Sequence, residues 1–184
     1  KTGTLTQNRM RVDRLQVDDA VCAELPVADG SPWRELGLVM ALCNDARIDA
    51  AGAAIGDPTE TALLEAAVRG GLDNAVLEQE LPRRAELPFD SDRARMSTLH
   101  SAGAGRGDGM LLLVKGAPER VFDMCVLDAG QRALHERDVN AMAQLGQRVL
   151  ALAEGEFDTE SDPASLCLDP VGLQFRALVG LIDP

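Results

Sequence analysis

The sequence predicts a mixed fold in which strands and helices alternate within a single domain. Short apolar or alternating stretches, which favour strands, lie near residues 11, 96, 111, 149 and 175. Stretches with helical spacing or helix-start residues lie near residues 32, 57, 118 and 134. A length of 184 residues suits one domain of ordinary size with a substantial core.

Composition argues against several classes of function. A net charge of -12 does not suit binding to the phosphate backbone of DNA or RNA, which requires a concentration of Lys and Arg. The four cysteines are far apart and form no CxxC pair, so neither a zinc site nor a small disulfide framework is indicated. The longest apolar run, 36–43, is about half the length of a bilayer-spanning helix. These features predict a cytoplasmic domain with reduced thiols.

The first half of the chain is expected to contain one strand and three helices. Arg11–Val17 alternates polar and apolar side chains, which predicts a half-exposed strand. Ser31 suits the N-cap of a helix with Pro32 at its first position. The buried stripe of that helix would be Leu36, Val39, Met40 and Cys43. A short acidic helix is expected over Asp73–Gln79.

The second of these helices begins at Asp57. Asp57 can cap it, Pro58 fits its first position, and Glu60 follows three residues after the cap. Glu60 can therefore complete a capping box by accepting a hydrogen bond from a backbone amide. Gly70 and Gly71 are expected to end the helix.

A lysine at the end of a buried strand is the first candidate for binding an anion. Leu111–Val114 predicts a strand buried on both faces, which stops at Lys115 and Gly116. Gly116 permits a turn, and Ala117–Glu119 suits the start of a helix. The ammonium group and the helix amides would together attract phosphate or carboxylate. From geometry alone, a solvated lysine on an ordinary turn is the alternative.

The remaining segments predict structure rather than chemistry. The glycine-rich stretch 101–109 matches neither phosphate-loop fingerprint and predicts a solvated hairpin loop. A helix is expected over Leu134–Leu145, with Val139, Met142 and Leu145 facing inward. Strands over Val149–Ala153 and Leu173–Ile182 would flank an acidic surface loop over Asp158–Pro170.

Six strings in order along the chain resemble the P-type cation-transporting ATPases. They are KTGTLT at the start, GDPTETALLEAA from Gly56, FDSDRARMS from Phe89, KGAPERVF from Lys115, QRVLALA from Gln147 and GLIDP from Gly180. KTGTLT is similar to the segment that follows the phosphorylated aspartate of this family. The strings span nearly the whole chain, which is therefore similar to the nucleotide-binding domain of a type II, calcium-pump-like ATPase.

The resemblance implies an α/β fold of the α+β kind, with a mainly antiparallel twisted sheet of about six strands flanked by helices. It also implies a division of the chain. Residues 1–10 would be a hinge segment after the absent phosphorylated aspartate, and residues 11–176 the nucleotide-binding domain. Residues 177–184 would be the return hinge to the phosphorylation domain. The two ends should lie close together, because both would enter the same neighbouring domain.

The resemblance further implies the residues of a nucleotide site. Phe89 would stack on adenine, with Glu60 beside the base. Lys115 and Gly116 would line the pocket, and Lys115, Arg93 and Arg148 would steer the phosphates. The alternatives are core packing for Phe89, a capping box for Glu60 and a surface ion pair for Arg148.

The resemblance implies that this domain binds ATP as part of a cation-translocating membrane pump. The membrane is expected to be a bacterial plasma membrane. ATP would be positioned so that its γ-phosphate passes to an aspartate preceding Lys1, so no catalytic residue is expected within the chain and the isolated fragment should be inactive. The phosphorylation, actuator and transmembrane domains would be partners within the same polypeptide. Mg²⁺ would be held mostly by residues outside the chain, and no metal ligand is expected within it. The fragment is expected to be monomeric and to bind no nucleic acid.

One position departs from the family's pattern. Arg93-Ala94-Arg95 stands where the family usually has Arg-Lys-Arg, so a cation expected near the nucleotide is missing. This departure leaves open a regulatory or protein-interaction domain that does not bind nucleotide. A soluble haloacid-dehalogenase-type phosphatase shares the beginning of KTGTLT, but the KGAPE and FDS strings do not belong to that class.

Overall fold

The computed structural model describes residues 8–26, 30, 32–103 and 106–184, which form nine strands and six helices. The strands are β1 Arg11–Val17, β2 Ala20–Cys22, β3 Arg47–Ile48, β4 Ala54–Ile55, β5 Arg83–Asp90, β6 Arg95–Ser101, β7 Met110–Gly116, β8 Arg148–Phe157 and β9 Gln174–Ile182. The helices are α1 Trp33–Leu42, α2 Pro58–Arg69, α3 Asn74–Glu80, α4 Pro118–Phe122, α5 Ala129–Gln144 and α6 Pro163–Leu168. The KTGTLT string and the predicted cap Ser31 lie outside the described residues.

Seven of the strands form one sheet in the order β2-β1-β9-β8-β7-β6-β5. Every neighbouring pair in it is antiparallel. The predicted α+β fold, with a mainly antiparallel sheet flanked by helices, is therefore confirmed, and the sheet has seven strands where about six were expected. The strands β3 and β4 form a separate two-stranded hairpin before α2.

The interior strand β7 is buried on both faces because helices cover both sides of the sheet. Leu111 and Leu113 belong to a hydrophobic cluster with α1 and α2, whereas Leu112 and Val114 belong to a second cluster with α4 and α5. Successive strand residues point to opposite faces, so an uninterrupted apolar run is what such a position requires. Lys115, next in the strand, points to the α1 and α2 side, where its ammonium contacts Glu60.

The first and last described strands of the large sheet are neighbours. β1 pairs with β9 so that Arg11 lies opposite Ile182, and Leu15 lies opposite Val179. The two ends of the described chain therefore leave the sheet together, as predicted. β9 remains paired within the sheet as far as Ile182, so most of the expected return hinge is still strand.

Local start signals explain α2 and α3. Asp57 caps α2 by accepting a hydrogen bond from Thr59 N at 2.9 Å, with Pro58 as the first helical residue. Asp73 caps α3 by accepting from Ala75 N and Val76 N. Pro32, expected inside α1, instead precedes its first residue.

Three expectations for the second half of the chain are wrong. The expected acidic loop contains α6, because Asp162 caps it and Pro163 suits its first position. The helix α5 begins at Ala129, five residues earlier than expected, because Asp128 and Gln131 form a capping box. Leu145 lies just beyond the end of α5 and is 66% exposed instead of facing inward.

A buried histidine lies at the end of β6. His100 is 1% exposed, and its Nδ1 lies 2.8 Å from the carbonyl oxygen of Leu81. Since a carbonyl oxygen only accepts, Nδ1 carries the proton and Nε2 accepts from the Thr98 hydroxyl at 2.9 Å. Burial, with a smaller contribution from the positive charge of Arg83, lowers the pKa of His100 to about 4, against the opposing effect of the Leu81 hydrogen bond.

We expect the stability of the domain to fall as the pH is lowered from about 6.5 to about 4. In this range His100 binds a proton in the unfolded chain but not in the folded chain, so protonation favours the unfolded state. The contribution of His100 to the free energy of unfolding is complete above this pH range and is roughly 3 kcal/mol at most. Urea unfolding at pH 7 and pH 4.5 should show a smaller loss in His100→Gln than in wild type. The only other histidine, His135, provides the control His135→Gln, which should keep the full loss. An equal loss in wild type and His100→Gln would contradict the assignment.

Candidate functional site

A cleft of about 610 Å³ lies where α2, the β5–β6 hairpin and the start of β8 meet. Its lining residues are Asp45, Asp57, Thr59, Glu60, Pro88, Phe89, Ala94, Lys115, Ala117, Arg148, Val149 and Leu150. Four of the six predicted site residues, Glu60, Phe89, Lys115 and Arg148, line this one cleft. The tertiary structure brings them together from separate elements.

The floor of the cleft contains a buried ion pair. Lys115 Nζ lies 2.7 Å from Glu60 Oε1, and the two side chains are only 7% and 13% exposed. The ammonium group also donates to the carbonyl oxygen of Cys43 and contacts Met96 Sδ at 3.3 Å. Its three N–H donors therefore have three partners within the protein. The alternative of a solvated lysine is wrong, because Lys115 is 6% exposed.

Two helix ends meet at this ion pair. Lys115 binds the Cys43 carbonyl at the C-terminal end of α1, where cations are favoured, and Glu60 lies in the first turn of α2, where anions are favoured. The place of Lys115 in the sequence suggested that its ammonium group would face the start of α4. The structure instead directs it at α1 and α2. Burial raises the pKa of the neighbouring Cys43 thiol although Lys115 opposes the shift, so the thiol stays neutral.

Glu60 does not complete the predicted capping box. Its Oε1 accepts from Lys115, and its Oε2 accepts from the backbone nitrogen of Asp45 at 3.3 Å. Asp57 alone caps α2 through Thr59 N. Glu60 is therefore bonded to the floor and one wall of the cleft instead of to its own helix.

Phe89 is 61% exposed and lines the cleft, so the alternative of core packing is wrong. It lies near the end of β5 beside Pro88, in a cleft that Val149 and Leu150 of β8 also line. An exposed aromatic ring in an apolar part of a cleft is suited to stack against a flat ligand.

Arg148 begins β8 and also lines the cleft. Its Nη1 donates to the Thr59 hydroxyl at 3.1 Å, so within the described part of the chain it has a neutral partner and not the ion pair that was the alternative to a phosphate role. Arg148 and Thr59 also line a second groove of about 450 Å³, together with Asn8 and Asp183 near the two chain ends. Arg148 therefore lies between the cleft and the place where the chain ends emerge.

Arg93 and Gly116 do not line the cleft. Arg93 folds back on the β5–β6 turn, where its backbone nitrogen donates to Asp90 Oδ1 at 3.0 Å and its Nη2 to the Pro88 carbonyl at 3.4 Å. A Cβ on Gly116 would lie 2.5 Å from the carbonyl oxygen of Ala94. Glycine is thus required by the close approach of β6 and β7, and not by a space that the cleft provides.

Ala94, the position that departs from the family's pattern, does line the cleft. Its backbone has a φ of 53°, in the left-handed region. The turn is held by Ala94 N donating to the Asp90 carbonyl at 2.7 Å and by Ala117 N donating to the Ala94 carbonyl at 2.8 Å. These two hydrogen bonds fix the backbone at Ala94, and the fixed backbone sets the direction in which any side chain at this position leaves the turn.

Sequence reasoning missed one wall of the cleft, the segment that follows α1. Asp45 lines the cleft and pairs with Arg83 of β5 at 2.8 Å, and Asn44 bonds to the first turn of α2. The available signal was the polar pair Asn44-Asp45 directly after the apolar stripe that ends at Cys43. No pattern in the sequence pointed from there to Arg83, which lies 39 positions beyond Asn44.

The cleft is lined by three carboxylates, Asp45, Asp57 and Glu60, and two cations, Lys115 and Arg148. Lys115 is paired with Glu60, and Asp45 shares Arg83 with Glu86. Asp57 is engaged as the cap of α2. Among the described lining residues, this leaves Arg148 as the cation that has no carboxylate partner. A negatively charged group entering the cleft would be attracted to that end.

Comparison with known proteins gives one family. The model of a family described as the cytoplasmic domain N of P-type ATPases matches residues 32–184. The whole chain is 34% identical to the cation-transporting ATPase pma1 of Synechocystis and 32% identical to a calcium-transporting ATPase of Listeria monocytogenes. It is 37% identical to calcium-transporting ATPase 1 of Lactococcus lactis. The chain spans only 22–23% of the length of these relatives. In the described residues, no helix has the length and apolar character needed to cross a membrane.

We expect the Lys115–Glu60 pair to show strong coupling in a double-mutant cycle. Removing one partner leaves the other charge buried, so Lys115→Met or Glu60→Gln should each lower the free energy of unfolding by about 3 kcal/mol. The loss in the free energy of unfolding of the double variant should be smaller than the sum of the two single losses by at least about 1 kcal/mol. Urea unfolding followed by the fluorescence of Trp33, the single tryptophan, measures all three.

An exposed ion pair provides the control for this cycle. Arg132 pairs with Asp123 at 2.7 Å on the surface, and Arg132→Met should change stability by less than about 1 kcal/mol. Additive losses for Lys115→Met and Glu60→Gln would show that the two groups do not interact as the structure indicates.

Proposed function

This chain belongs to the family of cytoplasmic N domains of P-type ATPases, and we propose that it binds ATP for a cation-translocating pump. The observation that carries the proposal is the exposed ring of Phe89 in a cleft whose floor is the Lys115–Glu60 pair. What distinguishes Phe89 from other exposed apolar side chains is that its ring lines a cleft together with Pro88, Val149 and Leu150, where it offers a flat face for stacking. The related pumps, by their names, use ATP.

The base of ATP is proposed to bind at the Phe89 end of the cleft. Stacking on an aromatic face is typically worth about 1 to 3 kcal/mol. Pro88, Val149 and Leu150 provide further apolar surface in the lining. The carboxylate of Glu60 lies beside this surface and keeps acceptor capacity beyond its bonds to Lys115 and Asp45 N. It is proposed to accept from an amino group of adenine.

The phosphates are proposed to lie toward Arg148, the lining cation without a carboxylate partner. The donors of Lys115 are already engaged, so its proposed role is to hold Glu60 at the floor and to contribute positive potential. Arg93 could reach a phosphate only by leaving the Pro88 carbonyl, and its proposed contact is accordingly secondary. Gly116 is proposed to act indirectly, by allowing the strand contact that places Lys115.

The chemistry proposed for the intact pump is transfer of the γ-phosphate to an aspartate outside this chain. The domain contributes by holding ATP in position, which is a major part of catalysis in phosphoryl transfer. Residues 1–10 and 177–184 are proposed as hinges that join residues 11–176 to the phosphorylation domain, and the neighbouring β1 and β9 support this arrangement. Arg148, located between the cleft and these ends, would then face the incoming aspartate.

The other parts of the pump are proposals of the same kind. Mg²⁺ would be held mostly by the phosphorylation domain; the described residues contain no group of three or more His, Cys, Asp or Glu side chains able to hold a metal ion. The actuator and transmembrane domains would complete a pump in a bacterial plasma membrane, with this domain cytoplasmic and monomeric when isolated. The transported cation is chosen by elements outside this chain.

We expect ATP to bind weakly, with a Kd of roughly 0.1 to 10 mM that depends little on magnesium. Amide shifts should cluster around Glu60, Phe89 and Lys115 and be larger for ATP than for GTP. Phe89→Ala should weaken binding at least about fivefold by removing the stacking surface, whereas Phe89→Trp should retain it. Because Phe89 is 61% exposed, the Tm of both variants should stay close to that of wild type.

The result against ATP binding would be a wild-type spectrum unchanged by ATP at high concentration. That result would favour a regulatory or protein-interaction domain, for which the exposed Phe89 would be a contact residue. Micromolar binding that disappears on chelation of magnesium would contradict the proposal that the metal is held elsewhere.

We expect Ala94→Lys to raise the affinity for ATP by about twofold to fivefold, since it adds a cation to the lining of the cleft. The gain should be smaller for AMP and should decrease as salt is added. Lysine meets the same backbone strain as alanine at this φ of 53°, so stability should change little. Ala94→Gln is the uncharged control, and an equal gain from it, or no gain from lysine, would refute a role for charge at this position.

A further inference from the structure

The segment that follows α1 is held by the side chain of Asn44, which is 6% exposed. Its Nδ2 donates to the Met40 carbonyl at 3.0 Å and to the Glu60 carbonyl at 2.8 Å. Its Oδ1 accepts from Ala46 N at 2.7 Å. One amide group therefore joins the last turn of α1, the first turn of α2 and the loop between α1 and β3. Only an amide of this length offers two donors and an acceptor in that arrangement.

Arg83 of β5 holds the same segment from the opposite side. Its Nη2 donates to the carbonyl oxygens of Leu42 at 3.0 Å and of Asn44 at 2.8 Å. Its Nη1 bonds to Asp45 Oδ1 at 2.8 Å and to Glu86 Oε2 at 2.6 Å. The planar guanidinium group thus serves four acceptors, two of them at the negative end of the α1 dipole.

The end of α1 is consequently closed by side chains of the segment that follows it, of β5 and of β7, and not by a glycine. The carbonyl oxygens of Met40, Leu42 and Cys43 accept from Asn44, Arg83 and Lys115, respectively. Each of these carbonyl groups would otherwise lack an intrahelical partner. Because Asn44 also binds the Glu60 backbone, it sets the distance between the Cys43 carbonyl and the Glu60 carboxylate, the two oxygen ligands of the Lys115 ammonium.

We propose that Asn44 and Arg83 are positioning residues of the nucleotide cleft, which hold the Lys115–Glu60 pair and Asp45 in the arrangement that ligand binding needs. The proposal rests on the proposed function, because the ligand is taken to be ATP. Neither residue lines the cleft, so neither is expected to contact the ligand. Their effect passes through the carbonyl of Cys43, the first turn of α2 and the wall formed by Asp45.

A purely structural role would also destabilise the domain when Asn44 is changed, so stability alone does not test the proposal. The chain provides a specific probe, because Lys1 and Lys115 are its only lysines. Labelling lysine with ¹⁵N and ¹³C gives side-chain signals from two residues, and that of Lys115 reports the geometry of its ammonium group directly. This spectrum requires no nucleotide.

The first variants are Asn44→Ala and Arg83→Met. The signal of Lys115 should shift in both, and the affinity for ATP should fall about fivefold to tenfold, as expected when a single hydrogen-bonded support is lost. Arg83→Lys should recover part of the loss, because it restores a cation at the end of α1. Should Asn44→Ala fail to fold, Arg83→Met decides the question, since its side chain is 29% exposed and its loss is better tolerated.

The matched control is Asp128→Ala, which removes the capping box of α5 on the opposite face of the sheet. It should lower Tm while leaving both the Lys115 signal and the ATP affinity as in wild type. The proposal is overturned when the Lys115 signal of Asn44→Ala matches that of wild type, or when the affinity for ATP is unchanged. If wild-type protein does not bind ATP, the proposed function is refuted. The lysine spectrum still decides in that case whether Asn44 and Arg83 position Lys115.

Discussion

The arrangement of the cleft depends on the removal of one ammonium group from water. Lys115 enters the interior from the strand β7, and burial of an unpaired cation there would cost several kcal/mol. The structure compensates with Glu60 and the carbonyl oxygen of Cys43. Those two groups belong to the ends of different helices, so satisfying one lysine requires α1 and α2 to converge on the same point above the sheet.

This convergence places the rest of the cleft. With α2 fixed through Glu60, Thr59 lies within hydrogen-bond distance of Arg148 at the start of β8. The sheet holds Phe89 on the other side, because β5 and β6 are paired up to the turn in which Ala94 lies. A stacking surface and Arg148, which has no carboxylate partner among the residues that the structure describes, therefore line one space, and a flat base with a charged tail requires both.

Several parts of this molecule are readable from local sequence, because local physics decides them. The helix starts at Asp57 and Asp73 follow from cap residues, and the apolar run of β7 follows from burial on both faces. One misjudged element is a place where two local signals compete. In α6, acidic and proline residues that suit a loop also suit a capped helix start, and Asp162 caps the helix by accepting from Ser165 N.

Strand periodicity and cap residues indicated the fold class, and six short strings indicated the family and, through the resemblance, four residues that line the cleft. These signals are readable because they are properties of neighbouring positions. The contacts that those residues make are visible only in three dimensions. The tertiary structure showed that Glu60 binds Lys115 instead of capping its helix and that Gly116 serves a strand contact. It also showed that Arg83 supports the end of α1. Each of these depends on atoms brought together from positions far apart in the chain, and such distances are set by packing and not by spacing in the sequence.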